Sequence, residues 1–171
     1  MKAIGISEFN DIPTGIYELN NLLKNFNLEI YKGGVTCPGK YYFIFTGDNS
    51  DVEDGIKSIK NKNKSTVISR VSSEVLNALK NKTIKNTHPA IGIFEFYDIS
   101  EGVKALDHVI KSVGINVLKL VLGLTLAGKS YFVVGGDTSS IEEAVVLVTG
   151  LYKLKDIKVI NNPQEELLRF I

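Results

Sequence analysis

The chain has 171 residues, a formal net charge of +1, 44% apolar residues and 23% charged residues. This composition is typical of a globular protein with one or two compact cores. A net charge so close to zero argues against nucleic acid as the main partner, because phosphate binding needs clustered Lys and Arg. No apolar run reaches the ~18 residues that a membrane-spanning helix needs, so a membrane is not an expected partner either.

The N-terminal residues lead directly into an apolar run at 3–6 and lack the charged-then-apolar pattern of a signal peptide. We therefore expect a cytoplasmic location, where disulfides are rare. Cys37 is the only cysteine, so it cannot form an intrachain disulfide. The two histidines are predicted to be solvated, His88 in a loop and His108 on the polar side of a helix. Few residues are therefore left that could form a metal site or an acid–base site within one chain.

The first half of the chain predicts a β-α-β-β-α-β order with a short helix after it. Apolar and β-branched runs indicate strands, and apolar residues at helical spacing indicate helices. The predicted elements are a strand at 3–9, a helix at 13–26, strands at 28–32 and 41–46, a helix carrying Val52, Ile56 and Ile59, and a strand at 66–71.

The second half predicts the same order. Its elements are a strand at 90–96, a helix at 100–113, strands at 116–122 and 130–134, a helix carrying Ile141, Val145 and Val148, and a strand at 157–160. The polar residues 81–89 end in a proline and are predicted to link the halves. We expect a first domain at 1–80 and a second at 90–171.

The two halves are copies of one another. The segment AIGISEF at 3–9 aligns with AIGIFEF at 90–96, and Lys24 aligns with Lys111. After a two-residue shift, Gly39-Lys40 aligns with Gly128-Lys129. Collinear matches of this number are the signature of an internal repeat. The predicted fold is α+β, a duplicated ferredoxin-like split βαβ arrangement with helices on one face of each sheet.

Several repeated motifs resemble those of the tandem bacterial-microcompartment (BMC) domain family. They are the opening A-I-G-I-x-E, the helix ending in Leu-Leu-Lys or Val-Ile-Lys, and the G-D-x-x-x-[IV] segment, each present in both halves. The resemblance implies two unpermuted BMC domains per chain and a trimer that forms a pseudohexagonal shell tile with a central pore. More narrowly, Cys37-Pro38-Gly39-Lys40, His88-Pro89 and the Leu-Ala-Gly-Lys turn resemble the iron–sulfur-bearing trimeric shell proteins of propanediol-utilisation compartments.

The resemblance also implies roles for particular positions. The lysine that closes the first helix of each copy, Lys24 or Lys111, would lie at the tile edge against neighbouring shell proteins. The family's R-P-H edge motif is altered in both copies, to Arg70-Val71-Ser72 and Asn162-Pro163-Gln164. The loops before the third strands would line the pore, and they contain Thr36, Cys37, Pro38, Gly39, Lys40, Thr125, Leu126, Ala127 and Gly128.

Cys37 is the candidate metal ligand. A lone cysteine is most often a small apolar core residue, but Cys37 lies in a Gly- and Pro-containing segment that predicts a turn, with Gly33-Gly34 as bends at a strand end. A cluster normally needs about four ligands, and one chain supplies one sulfur. Under the implied threefold symmetry, three Cys37 residues would meet and hold one 4Fe–4S cluster per trimer. Such a cluster would pass electrons across the shell or supply clusters to an enclosed redox enzyme.

Other functions are open at this stage. One is a shell tile whose pore gates metabolites and holds no cluster. Another is a ferredoxin-like regulatory module that binds a small molecule, although the sequence lacks a Gly-rich phosphate loop. Catalysis has least support: Asp48, Asp137, Glu8 and Glu95 recur, but helix caps and strand ends account for them. We therefore predict that the chain is not an enzyme.

Overall fold

The structure is a computed structural model that describes residues 2–123 and 127–171. The repeated β-α-β-β-α-β order is confirmed, and a short helix follows each copy. The elements are β1 (Ala3–Phe9), α1 (Ile12–Asn25), β2 (Glu29–Thr36), β3 (Lys40–Gly47), α2 (Asn49–Ser58), β4 (Lys64–Ile68), α3 (Ser73–Leu79), β5 (Ala90–Phe96), α4 (Ile99–Ser112), β6 (Asn116–Leu122), β7 (Ser130–Gly136), α5 (Thr138–Leu151), β8 (Leu154–Asn161) and a 3₁₀ helix (Glu165–Arg169).

The strands form two four-stranded antiparallel sheets with the same connectivity. Their orders are β2-β3-β1-β4 and β6-β7-β5-β8. Ala3 stands opposite Gly47 in the first sheet, and Ala90 stands opposite Gly136 in the second. The ferredoxin-like order predicted from the sequence is confirmed in both copies, because the first strand of each lies between its third and fourth.

The first sheet is packed against α1 and α2 through aromatic side chains. The rings of Phe9 and Phe43 have centroids 5.3 Å apart, and those of Phe43 and Phe45 are 6.0 Å apart. All three side chains are fully buried, together with Leu22 from α1 and Val52 from α2. These rings exclude a large apolar area from water, the dominant favourable term in folding.

The second sheet is covered on both faces. Phe94, Phe96 and Phe132 stack with centroid distances of 4.8 Å for Phe94–Phe132 and 5.6 Å for Phe96–Phe132. Ile91 in β5 belongs to a separate cluster on the opposite face of the sheet. Leu167 from the 3₁₀ helix packs against that cluster. The expectation of helices on one face therefore holds for the long helices of this copy, whereas its terminal 3₁₀ helix covers the other face.

Aspartates begin the first helix of each copy. Asp11 Oδ1 accepts a hydrogen bond from the Thr14 backbone N–H at 2.9 Å, and Asp98 Oδ1 accepts one from Glu101 N–H at 2.7 Å. Hydrogen bonds from Thr14 lower the pKa of the Asp11 carboxyl group. Asp48 and Asp137 occupy the N-cap positions of α2 and α5, as predicted, but their side chains make no capping hydrogen bond.

The hairpin between β2 and β3 is tighter than the sequence predicted. Strand β2 continues to Thr36, so the interpretation of Gly33-Gly34 as bends at a strand end is wrong. Both glycines lie inside the strand, where a Cβ at Gly33 would be 3.0 Å from the Tyr42 carbonyl oxygen. Gly34 has a φ of 153°, which other residues rarely adopt. The turn is reduced to residues 37–39.

The compact units of the structure do not follow the sequence repeat throughout. One unit contains the described residues up to Val71 with those of 123–128, and the other contains 72–122 with 129–171. Helix α3 belongs to the second unit because it packs against β6 and α4. Its start is held there by Asp107 Oδ1, which accepts a hydrogen bond from the Ser72 backbone N–H at 2.8 Å.

Equivalent glycines allow the first helix of each copy to lie directly on its sheet. A Cβ at Gly15 would be 2.5 Å from the Tyr41 ring, and a Cβ at Gly102 would overlap Ser130 Oγ. Turning Ser130 Oγ away would break the 2.7 Å hydrogen bond that it donates to the Asp98 carbonyl oxygen. By contrast, a Cβ built at Gly150 in α5 would meet no described atom within 4 Å.

We expect Gly102→Ala to lower the free energy of unfolding by about 1–3 kcal/mol, because the methyl group overpacks the helix–sheet contact and displaces the Ser130 hydroxyl. Gly150→Ala is the matched control and should raise the free energy of unfolding by up to about 1 kcal/mol, the ordinary effect of Gly→Ala in a helix. Urea denaturation of both variants measures the difference. Equal stabilisation by the two substitutions would contradict the close contact at Gly102.

Candidate functional site

Cys37 lies at the tip of the β2–β3 hairpin. Thr36 and Lys40 are the last paired residues of the two strands, so residues 37–39 form the whole turn. Gly39 has a φ of 73°, a left-handed conformation that glycine adopts without steric cost. Cys37 is exposed and forms no disulfide. The chain therefore presents its single thiol on a short turn held by a buried sheet.

The corresponding loop of the second copy lies beside this hairpin. Ala127 and Gly128 have φ values of 53° and 78°. A Cβ at Gly128 would be 3.4 Å from both Thr36 Oγ1 and Lys40 Cδ. The structure thus brings together three of the predicted pore-loop residues. Thr125 and Leu126 lie outside the described residues.

Among these three pore-loop residues, Thr36 is the buried polar one. Its side chain is 2% exposed, and its hydroxyl donates a 3.2 Å hydrogen bond to the Cys37 carbonyl oxygen. This bond ties the start of the turn to the end of β2. Cys37, Pro38 and Gly39 are exposed beyond it, so the turn offers side chain and backbone to a ligand or a neighbouring chain.

The two predicted edge lysines have different surroundings. Lys24 lies in the exposed last turn of α1, and within the described residues no partner contacts its ammonium group. Lys111 lies in the last turn of α4 and forms an ion pair with Asp107 one turn earlier. The Asp107 side chain is only 5% exposed. Asn20 occupies the equivalent position in α1 and is exposed.

Both histidines are less solvated than the sequence predicted. His108 Nδ1 lies 3.0 Å from the Tyr152 hydroxyl group, and the two rings meet edge to face. The His88 ring lies across Gly135, where a Cβ would overlap it. Its Nε2 atom is buried and has no partner within the described residues. The prediction of solvated histidines is wrong because strand β7 and the end of α5 pass close to them.

The metal-binding capacity of one chain is low. Within residues 2–123 and 127–171, no group of three or more His, Cys, Asp or Glu side chains could hold a metal ion. Cys37 fits an iron–sulfur cluster in its chemistry, because thiolate sulfur is the usual ligand of such clusters and this thiol is exposed. A single sulfur does not fit in number. The described residues of one chain therefore supply one of the about four ligands that such a cluster normally takes.

Comparison with known proteins decides the family. The BMC domain family matches residues 3–78 and again 90–163, which together span most of the chain. The chain belongs to the BMC domain family. It is a tandem bacterial-microcompartment shell protein, as the repeated motifs predicted. Within the described parts of the chain, no helix has the length and apolar character to span a membrane.

Two relatives cover nearly the whole chain. One is the bacterial microcompartment shell protein PduT of Citrobacter freundii, 26% identical over 98% of this chain and 96% of its own. The other is a crystal structure of a microcompartment protein from Desulfitobacterium hafniense, with a TM-score of 0.87, 28% identity and 99% coverage of both chains. The tandem fold is therefore shared along its full length.

We expect Asp107→Ala to lower the free energy of unfolding by about 1–3 kcal/mol, because the Ser72 N–H and the Lys111 ammonium both lose their buried partner. Asn20→Ala changes the equivalent exposed position and should alter stability by less than about 0.5 kcal/mol. Thermal unfolding monitored by circular dichroism compares the two. If Asp107→Ala proved as mild as Asn20→Ala, the buried carboxylate would not be holding α3 and Lys111.

Proposed function

We propose that three copies of this chain form a pseudohexagonal shell tile with the Cys37 turns around its central axis, and that the tile carries an iron–sulfur cluster there. The proposal depends mainly on the position of Cys37. It is the only cysteine, it is exposed, and it lies at the tip of the hairpin that Gly128 contacts. In this proposal the loop residues from both copies line the pore.

Threefold symmetry supplies the ligands that one chain lacks. Three Cys37 thiolates would hold three irons of a 4Fe–4S cluster and leave the fourth iron for water, a small molecule or a partner's side chain. The exposure of residues 37–39 supports this arrangement, because the turn can approach its symmetry mates without unfolding β2 or β3. The second copy offers no cysteine at its loop.

The cluster, when bound, supplies one-electron redox chemistry or iron and sulfide for transfer. The chain's own residues would position it: Thr36 holds the turn through the Cys37 carbonyl, and the sheet fixes the hairpin. We propose a structural and electron-transfer role and no catalysis by the chain itself. Its partners would be further copies, other shell proteins and an enclosed redox enzyme.

A metabolite gate without a cluster is the second candidate function. It is favoured by the exposure of the Cys37 turn, which can line a pore without a bound metal. The two candidates share the trimer and differ in bound iron. Measurement of iron and sulfide therefore separates them.

Protein purified without oxygen should be brown and contain about four iron atoms per trimer. Cys37→Ser should remove the colour and the iron, because serine does not replace a thiolate, and leave the trimer mass unchanged. Val35→Ser, an exposed change on the same hairpin, is the control and should keep both. Wild-type trimer that is colourless and free of iron would refute the cluster and leave the gated tile.

Exposed Lys24 should contribute to contacts between tiles. We expect Lys24→Ala to reduce the formation of extended sheets seen by electron microscopy while the trimer remains intact by mass measurement. Lys111→Ala should reduce sheet formation less, because part of that ammonium's interaction is already made with Asp107. Unaltered sheets from the double variant would place the tile edge elsewhere.

A further inference from the structure

The first copy has a cavity between α1 and the C-terminal end of α2. Its volume is about 210 Å³, and all of its lining residues belong to the same compact unit. A water molecule takes about 30 Å³ in the liquid, so the cavity has room for several waters or for a small organic molecule. The polar residues that line it are Tyr17, Glu18, Asn21, Asn25, Ser58 and Lys60.

Glu18 is the buried charge of this cavity. It lies on α1 and is only 5% exposed. Among the residues that the structure describes, its carboxylate has no hydrogen-bond partner and no ion-pair partner, and this holds for Lys60 of the same cavity too. Lys60 is exposed at the rim, where water screens its charge. Burying a carboxylate without a partner is strongly unfavourable. Glu18 therefore lacks a cation that the described part of the chain does not supply.

The second copy fills the equivalent space differently. Ala105 occupies the position of Glu18 and is fully buried. Helix α5 has 14 residues, and Tyr152, which follows it directly, places its hydroxyl group 3.0 Å from His108 Nδ1, at the position of Asn21. Helix α2 has only 10 residues. The shared fold thus accepts an alanine at this position, and the carboxylate of the first copy needs a separate explanation.

We propose that this cavity binds a small organic molecule through a primary ammonium group that pairs with Glu18. An ammonium group has three N–H donors, and the cavity offers acceptors for them. Asn25 Nδ2 donates a 2.8 Å hydrogen bond to the Asn21 carbonyl oxygen, which leaves the side-chain oxygen of Asn25 as an acceptor. Ser58 Oγ donates at 2.7 Å to the Gly55 carbonyl oxygen and likewise keeps its lone pairs.

An organic ammonium ion fits the cavity better than a metal ion does. Hard cations take about six oxygen ligands or more, and within residues 2–123 and 127–171 no group of three or more His, Cys, Asp or Glu side chains could hold a metal. The exposed ring of Tyr17 also lines the cavity. Ammonium groups pack favourably against aromatic rings, so the organic part and the charge of such a ligand both have suitable neighbours.

Propylammonium chloride and propanol test the site on the intact protein. The two probes have equal chain lengths, but only the amine is charged at neutral pH. Ligand-observed NMR titration gives a dissociation constant for each probe, with sodium chloride at the same ionic strength as the blank. We expect Glu18→Gln to weaken propylammonium binding about tenfold or more, in line with loss of a hydrogen bond to a charged group. Propanol binding should not change.

Glu142→Gln is the matched control, because it removes the same charge from an exposed position of α5. It should leave propylammonium binding at the wild-type value, and Lys60→Gln should not weaken it. Without the amine, Glu18→Met should raise the urea midpoint of unfolding, because it replaces a buried unpaired charge with an apolar group of similar size.

Three results would overturn the proposal: no binding of propylammonium to the wild-type protein, equal weakening by Glu18→Gln and Glu142→Gln, or a lower urea midpoint for Glu18→Met. The last would show that the carboxylate stabilises the chain without a ligand. The site lies within one chain, so none of these results depends on the trimer or on bound iron.

Discussion

The close approach of Gly128 to Thr36 and Lys40 is the contact on which the candidate site depends. Gly128 has a φ of 78°, a left-handed conformation that favours glycine. A Cβ there would lie 3.4 Å from both Thr36 Oγ1 and Lys40 Cδ, an ordinary contact distance, so the backbone conformation and not the available space selects glycine. The second loop can therefore lie against the first hairpin, and the exposed turn of Cys37 is supported from one side by packed protein.

The sheets determine where these loops emerge. Each copy pairs its first and third strands in the same antiparallel register, Ala3 with Gly47 and Ala90 with Gly136. A change of register by one residue would turn every side chain of a strand to the other face. The buried phenylalanines prevent that change, because Phe9 and Phe43 in one sheet and Phe96 and Phe132 in the other occupy one face each. Core packing thus fixes the register of the first and third strands in both copies.

Much of this architecture could be predicted from the sequence, because each copy of the repeat shows the same hydrophobic periodicity and so indicates the same order of strands and helices. The order of elements and the ferredoxin-like connectivity were predicted in this way, whereas the family was predicted from the resemblance of the repeated motifs to those of the BMC domain family. The extension of β2 through Gly33-Gly34 was not, because glycine is more often a sign of a turn than of a strand. Local sequence could not show that the Tyr42 carbonyl oxygen lies only 3.0 Å from where a Cβ of residue 33 would stand.

The environments of polar residues were harder to predict, because they depend on contacts between distant segments. His108 meets Tyr152, 44 residues later, and Asp107 bonds to Ser72, 35 residues earlier. Neither pair has a signal in sequence spacing. A difference between the copies accompanies one of these contacts: Asp107 stands where the first copy has Asn20. A charged residue that appears in one copy of a repeat marks a place where the copies have acquired different contacts.

A duplicated chain differs from a single domain because its two copies can acquire different residues. A tile built from six identical domains has six identical loops, so a cysteine or lysine placed in one appears in all. A tandem chain has two kinds of loop, and in this one the cysteine belongs to the first loop alone. In the proposed trimer, three Cys37 sulfurs would leave one iron of a four-iron cluster open, whereas six sulfurs would exceed the number of irons. Duplication would therefore make a threefold ligand set possible in the proposed pseudohexagonal tile.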